Sequence, residues 1–163
     1  MKAPNYPKTP ALRLLTTRNI PFAPYMYPYE EHGGTRHAAE SLNVPEHAVI
    51  KTLVLETDTY VPLIVLMHGD CEVSLKQLAR SLEVKQVTPC SPTAAQKYTG
   101  YQVGGISPFG TRQTLPVYAE ASIFELDTIY INGGKRGFLV AIDPIDLESV
   151  LSITRVEVAR TER

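Results

Sequence analysis

Val49-Ile50-Lys51-Thr52-Leu53-Val54-Leu55-Glu56, a turn at Thr57-Asp58-Thr59-Tyr60, and then Val61-Pro62-Leu63-Ile64-Val65-Leu66-Met67-His68 form the stretch from which the fold can be read. Alternate residues of a strand face opposite sides. In the first run both sides are apolar, with Val49, Leu53 and Leu55 on one and Ile50 and Val54 on the other. A strand of that kind belongs in the middle of a sheet covered on both faces. Lys51 interrupts the first face, and an ammonium there is costly unless a polar or anionic group meets it. Two readings of Lys51 stay open. It snorkels to water from a strand end, or it is a cationic anchor for a phosphate, a carboxylate or a developing oxyanion.

Outward from this pair, helical and extended segments alternate. Thr9 and Pro10 read as the cap and first position of a helix ending near Asn19, after an irregular start at Pro4 and Pro7. Pro21 to Tyr29 is extended, aromatic and, because of its prolines, an edge strand. Thr35 reads as the cap of a helix through Leu42 that Pro45 closes. Downstream, Ser74 opens a helix with Leu75, Leu78, Ala79 and Leu82 at helical spacing. Val84 to Val87 is a short strand, and Ser91 or Thr93 starts a helix to Tyr98. Pro116 to Ala119 and Thr128 to Ile131 are strands, Asn132-Gly133-Gly134 a turn, Gly137 to Ile142 a last strand and Pro144 to Leu151 a last helix. The expectation is one α/β domain over residues 1–163, with its core at about 9–151 and helices packed on a mixed sheet.

Composition bounds the function without naming it. Of 163 residues, 44% are hydrophobic and 20% charged, which is globular composition. The longest apolar run is strand-sized and the N-terminus has no apolar stretch behind its charge, so no membrane segment and no secretory signal are expected. A cytoplasmic location follows, with Cys71 and Cys90 reduced. A net charge of −1 excludes a broad cationic surface for DNA, though not a local basic pocket for one end of an RNA. The four histidines, His32, His37, His47 and His68, show no HExxH spacing and no CxxC is present, so neither a metal nor a cofactor is expected.

Three further segments are candidates. In Thr99-Gly100-Tyr101-Gln102-Val103-Gly104-Gly105-Ile106-Ser107-Pro108-Phe109-Gly110, glycines let the backbone approach a ligand and turn its N–H groups toward it. It is not a P-loop, and Ser107 lacks a nucleophile elbow. The alternative is a plain connection. Gly133-Gly134-Lys135-Arg136-Gly137 offers two cations and mobile amides suited to RNA phosphates or a terminal ribose, or is an ordinary surface turn. Tyr25, Tyr27 and Tyr29 pack conventionally or stack on an unpaired base, and His32 lines a pocket or an exposed loop.

The glycine segment, together with Ile129-Tyr130-Ile131-Asn132-Gly133-Gly134-Lys135-Arg136-Gly137, closely resembles the YbaK family of aminoacyl-tRNA deacylases. It is also similar to the editing domain inserted in bacterial prolyl-tRNA synthetases. Lys51-Thr52-Leu53, Ala38-Ala39-Glu40, Thr9-Pro10-Ala11 and Ile20-Pro21-Phe22 match in order, so the likeness spans about Thr9 to Leu151. The resemblance implies a mixed sheet, barrel-like or strongly curved, flanked by helices. It implies hydrolysis of the ester of a mischarged tRNA carrying a small amino acid such as cysteine or alanine, with tRNA for proline as an example. Lys51 would be the key family lysine, with Gly104, Gly105 and Ser107 beside it in catalysis. Substrate would be held by Tyr27, His32, Thr52, Gly104, Ile106, Pro108, Gly133, Gly134, Lys135 and Arg136. The implied partners are the acceptor end of an aminoacyl-tRNA and, as a candidate, an aminoacyl-tRNA synthetase. His32-Gly33-Gly34 and Met67-His68-Gly69-Asp70 depart from the cysteine-specific pattern, leaving the amino acid open. A non-catalytic tRNA- or synthetase-binding protein of the same fold, and a hydrolase of small esters or nucleotides, are the competing readings.

Overall fold

The computed structural model describes residues 5–161. Pro4, with the rest of Met1 to Pro4, and Glu162 and Arg163 lie outside them. Thr9 adopts extended backbone and its Oγ1 accepts the Leu12 N–H at 3.2 Å, capping α1 (Pro10–Thr17). Pro10 starts that helix without losing a bond. α2 (Gly34–Leu42), α3 (Leu75–Leu82), α4 (Pro92–Thr99) and α5 (Ile145–Val150) complete the helices. The Ser74 and Ser91 hydroxyls cap α3 and α4. Thr35 does not cap α2. It lies inside the first turn, after Gly33 at the cap position, and its hydroxyl is spent on Glu46 and Gly69 instead.

The strands are β1 (Ala23–Met26), β2 (Val49–Thr57), β3 (Pro62–His68), β4 (Cys71–Val73), β5 (Val87–Pro89), β6 (Val117–Glu120), β7 (Ile129–Lys135), β8 (Phe138–Ile142), β9 (Ile153–Val156) and β10 (Ala159–Thr161). Eight make one mixed sheet in the order β1-β8-β7-β2-β3-β6-β9, with β5 paired to β2 off that path. The path has two ends, and β1 is the edge that its prolines demand. β2 is central, antiparallel to β3 and parallel to β7.

The two faces of β2 are covered as the alternation requires. Ile50 and Val54 join a large cluster with Leu12 and Leu15 of α1, Ala95 of α4 and Leu147 of α5. On the other face Val49 packs with Ala38 and Ala39 of α2, while Leu55 packs with Leu78 and Ala79 of α3. No described helix is long and apolar enough to cross a membrane.

Three further expectations change. The strand expected at Val84 to Val87 lies at Val87–Pro89, because Glu83 takes a left-handed cap conformation and Val84 still bonds back to Ala79. Asn132-Gly133-Gly134 is not a turn. It is a bulged part of β7, where the register with β8 shifts between Asn132 and Lys135, and the chain reverses at Arg136-Gly137. The helix after Pro144 is not the last element. β9 extends the sheet beside β6, and β10 pairs with β4.

Candidate active site

The central strand opens a gap in the sheet. Pairing of β2 with β7 stops at Ile50 and Ile131, and pairing with β5 begins only at Leu55 and Pro89. The Val49 carbonyl accepts the Gly69 N–H on the β3 side, and the Val54 carbonyl accepts the Cys90 N–H on the opposite side. Backbone groups alternate along a strand, so those of Thr52 face the gap. A cavity of about 660 Å³ occupies it, lined by both faces of β2. One side presents Thr35, Glu46, Val49, Lys51 and Gly69; the other presents Val54, Cys90, Ala95 and Ile106.

Lys51 is half-buried in the seam between the cluster under α2 and the one under α3. Its Nζ donates to the Cys71 carbonyl at 2.7 Å. That carbonyl sits in β4, opposite Thr161 of β10, so a strand unforeseen from sequence helps to aim the ammonium. Lys51 stands within β2, two residues past its first, and the glycine segment comes from another part of the chain. The two share the cavity wall.

Val103, Gly104 and Ile106 are the glycine-segment residues that line the cavity. Gly104 has φ +93°, a conformation costly for other residues, and a methyl there would meet the Tyr29 hydroxyl at 2.7 Å. Gly105 packs directly on the β7–β8 turn. Its N–H donates to the Gln102 carbonyl at 2.8 Å, which removes it as an oxyanion donor. Ser107 is fully buried, its Oγ accepting the Phe109 N–H at 3.2 Å. Gly105, Ser107 and Pro108 thus build the segment and do not line the cavity.

The basic turn braces this segment. Arg136 Nε donates to the Val103 carbonyl at 2.9 Å, and its guanidinium lies 5.0 Å from the Tyr29 ring centre. Asn132 Oδ1 accepts the Gly134 and Lys135 N–H groups across the bulge, while its Nδ2 donates to the Gly104 carbonyl at 3.3 Å. The Gly133 carbonyl accepts the Thr9 hydroxyl. Gly133, Gly134, Lys135 and Arg136 do not line the cavity, but Asn132 does.

Tyr27, His32 and Thr52 do line it. Burial, then the neighbouring Tyr29, raises the Tyr27 hydroxyl above its ordinary pKa, and its ring meets His37 edge-on. His32 holds φ +63° on an exposed turn. Thr52 Oγ1 is buried and meets no hydrogen-bond partner among the described residues. Glu46 was not singled out from the sequence, Thr35 was read there only as a helix cap, and Gly69 only within a departure from the family pattern. Their signal, a small polar residue and a glycine far apart in the chain, is visible only once β3 and α2 meet.

One group of side chains among the described residues has the spacing of a metal site: the ligating atoms of His47, Asp70 and Cys71 lie within 4.8 Å of one another. His47 Nδ1 is 2.8 Å from Asp70 Oδ1. Burial, then the Asp70 charge, pushes the Cys71 thiol up to about 11, and the Lys51 ammonium lies beside it. A protonated thiol next to a fixed cation is poor company for a metal ion.

Residues 31–150 match the family described as aminoacyl-tRNA editing domain. A protein of Enterococcus faecalis named "Putative Cys-tRNA(Pro)/Cys-tRNA(Cys) deacylase EbsC" is 30% identical over 153 residues, covering 93% of this chain and 92% of that one. A proline–tRNA ligase of Levilactobacillus brevis is 29% identical over 97 residues, which is 60% of this chain but 17% of the ligase. Among solved structures, a "putative trans-editing enzyme for prolyl tRNA synthetase" superposes with a TM-score of 0.80 at 19% identity, covering 96% of this chain and 100% of that one.

Proposed function

Because the chain belongs to the aminoacyl-tRNA editing domain family, we propose that it is a trans-acting aminoacyl-tRNA deacylase that hydrolyses the ester of a mischarged tRNA in the cytoplasm. The observation that carries this reading is Lys51: a cation on the central strand, held by the Cys71 carbonyl at the wall of the cavity. A small amino acid, cysteine or alanine, fits the short apolar wall of Val54, Cys90, Ala95 and Ile106. The name of the Enterococcus relative supports cysteine on tRNA for proline.

An aminoacyl ester is already activated, so positioning accounts for most of the catalysis. Lys51 binds a phosphate or ribose oxygen of the acceptor end. The oxyanion is met by backbone N–H groups that border the cavity, at Gly104, Ile106 and Thr52. Water attacks the carbonyl carbon, the tetrahedral intermediate expels the ribose oxygen, and the terminal adenosine's neighbouring hydroxyl assists the proton transfer. Tyr27 and His32 flank the entrance for the terminal base. Gly105, Ser107, Pro108, Gly133, Gly134, Lys135 and Arg136 serve by shaping the glycine segment, and Lys135 also faces the RNA backbone. A synthetase is a candidate partner for handing over the charged tRNA.

The test is hydrolysis of a panel of mischarged tRNAs. Turnover of at least one small aminoacyl ester supports the reading; tRNA binding without turnover of any member contradicts it.

A further inference from the structure

An aminoacyl ester differs from a peptidyl or N-blocked ester by one feature, the free α-ammonium. Recognising it takes an anion in the same cavity as the ester-binding groups. The carboxylates lining the cavity are Glu30 and Glu46. Glu30 is largely exposed, 3.2 Å from His37 Nδ1, at the rim. Glu46 is different. It stands in a one-turn 3₁₀ segment (Glu46–Ala48) immediately before β2, on the same side of the cavity as Lys51.

Its carboxylate is fixed. The Thr35 hydroxyl, from the first turn of α2, lies 2.8 Å from Oε2 and 3.1 Å from the Gly69 carbonyl oxygen. Gly69 is packed so closely that a methyl on it would lie 2.7 Å from the Glu46 and Val49 carbonyl oxygens and 2.8 Å from the Thr35 Cβ. The β3–β4 turn, α2 and the 3₁₀ segment are thereby locked around the acid. A carboxylate accepts about four hydrogen bonds, and the threonine supplies one. The remaining capacity, with the Gly69 carbonyl beside it, is a set of acceptors for a group that only donates. An ammonium has three donors and no acceptor, and its bonds to a carboxylate are charge-assisted.

Resting on the deacylase reading, we propose that Glu46 recognises the α-ammonium of the aminoacyl group and restricts the enzyme to esters whose amine is free. Thr35 positions the carboxylate. An N-acyl substrate offers Glu46 one uncharged donor in place of three charged ones and sets its own carbonyl oxygen against a site built of acceptors, so it is rejected.

The experiment uses one tRNA charged with one amino acid, half of it chemically N-acetylated, with the full chain and the variants Glu46→Gln and Thr35→Val. Wild type is expected to favour the free amine on the order of 10²-fold in kcat/KM. Glu46→Gln, nearly isosteric, brings that ratio to within a few-fold by raising KM for the free form, with turnover of the acetylated form kept; Thr35→Val gives an intermediate ratio. Retained turnover of the acetylated ester also reports that the variant is folded. A wild type that is active but indifferent to acetylation, or a Glu46→Gln enzyme with the wild-type ratio, overturns this assignment and leaves the deacylase reading standing. Loss of both activities in a folded Glu46→Gln also overturns it, in favour of a proton-transfer role. A wild type inert on all charged tRNAs overturns both.

Discussion

Replacing Gly105 by alanine tests whether the glycine segment belongs to the site or merely connects it. The added methyl would lie 2.7 Å from the Arg136 amide nitrogen and 2.8 Å from the Lys135 carbonyl carbon. Both are backbone atoms, so no rotamer change relieves the overlap. Gly105 is not among the positive-φ residues, so the cost is steric and not conformational. Restoring contacts of about 3.5 Å requires the segment to retreat from the β7–β8 turn by roughly 0.8 Å. Overpacking of this kind costs about 1–3 kcal/mol, which for a chain of this size lowers Tm by roughly 2–12 °C. The same retreat stretches the Asn132 bond to the Gly104 carbonyl and the Arg136 bond to the Val103 carbonyl. It therefore moves the Gly104 and Ile106 amides at the cavity wall, and a displacement approaching 1 Å costs catalysis about 10²-fold. Thermal unfolding and deacylation are measured on the same preparation, well below Tm. A lowered Tm with unchanged kcat/KM refutes the assignment of the segment to the site.

Two further expectations concern stability. Glu120 is buried and its Oε1 accepts the Val158 N–H at 2.7 Å, so Glu120→Ala strands that donor and should cost about 1–3 kcal/mol, read as a fall in denaturation midpoint; an unchanged midpoint refutes it. Burial, the largest influence, holds His68 below its ordinary pKa of 6.5. The unfolded chain therefore binds a proton that the folded one refuses, and stability present above pH 6.5 is lost as pH falls toward the lowered value. His68→Gln should flatten the decline of Tm between neutral and mildly acid pH, and an equally steep decline in the variant refutes this.

Much of this was legible from β2. Its two apolar faces and the intruding lysine told of a central, doubly covered strand, the hydroxyl caps at Thr9 and Ser74 marked two helix starts, and of Ser91 and Thr93 it is Ser91 that caps a third. Local signals failed where partners come from afar. Cys71–Val73 is three residues long and becomes a strand only because Ala159–Thr161 pairs with it. Thr35 has the composition of a cap, yet its hydroxyl goes to groups 11 and 34 residues away. Gly133 and Gly134 read as a turn because glycine serves turns and bulges alike. Close packing of Gly105 against the β7–β8 turn, which makes glycine obligatory there, has no trace in the loop's own sequence. Lys51 was found because burial of a charge is anomalous. Glu46 was missed because an acid beside a proline is not.

Comparing Lys51→Met with wild type on the mischarged-tRNA panel tests the central claim most directly, since methionine keeps the stem packed in the seam and removes the ammonium with its bond to the Cys71 carbonyl. The account predicts a folded variant whose deacylation falls on the order of 10²–10³-fold. Wild-type rates from a folded Lys51→Met would contradict it.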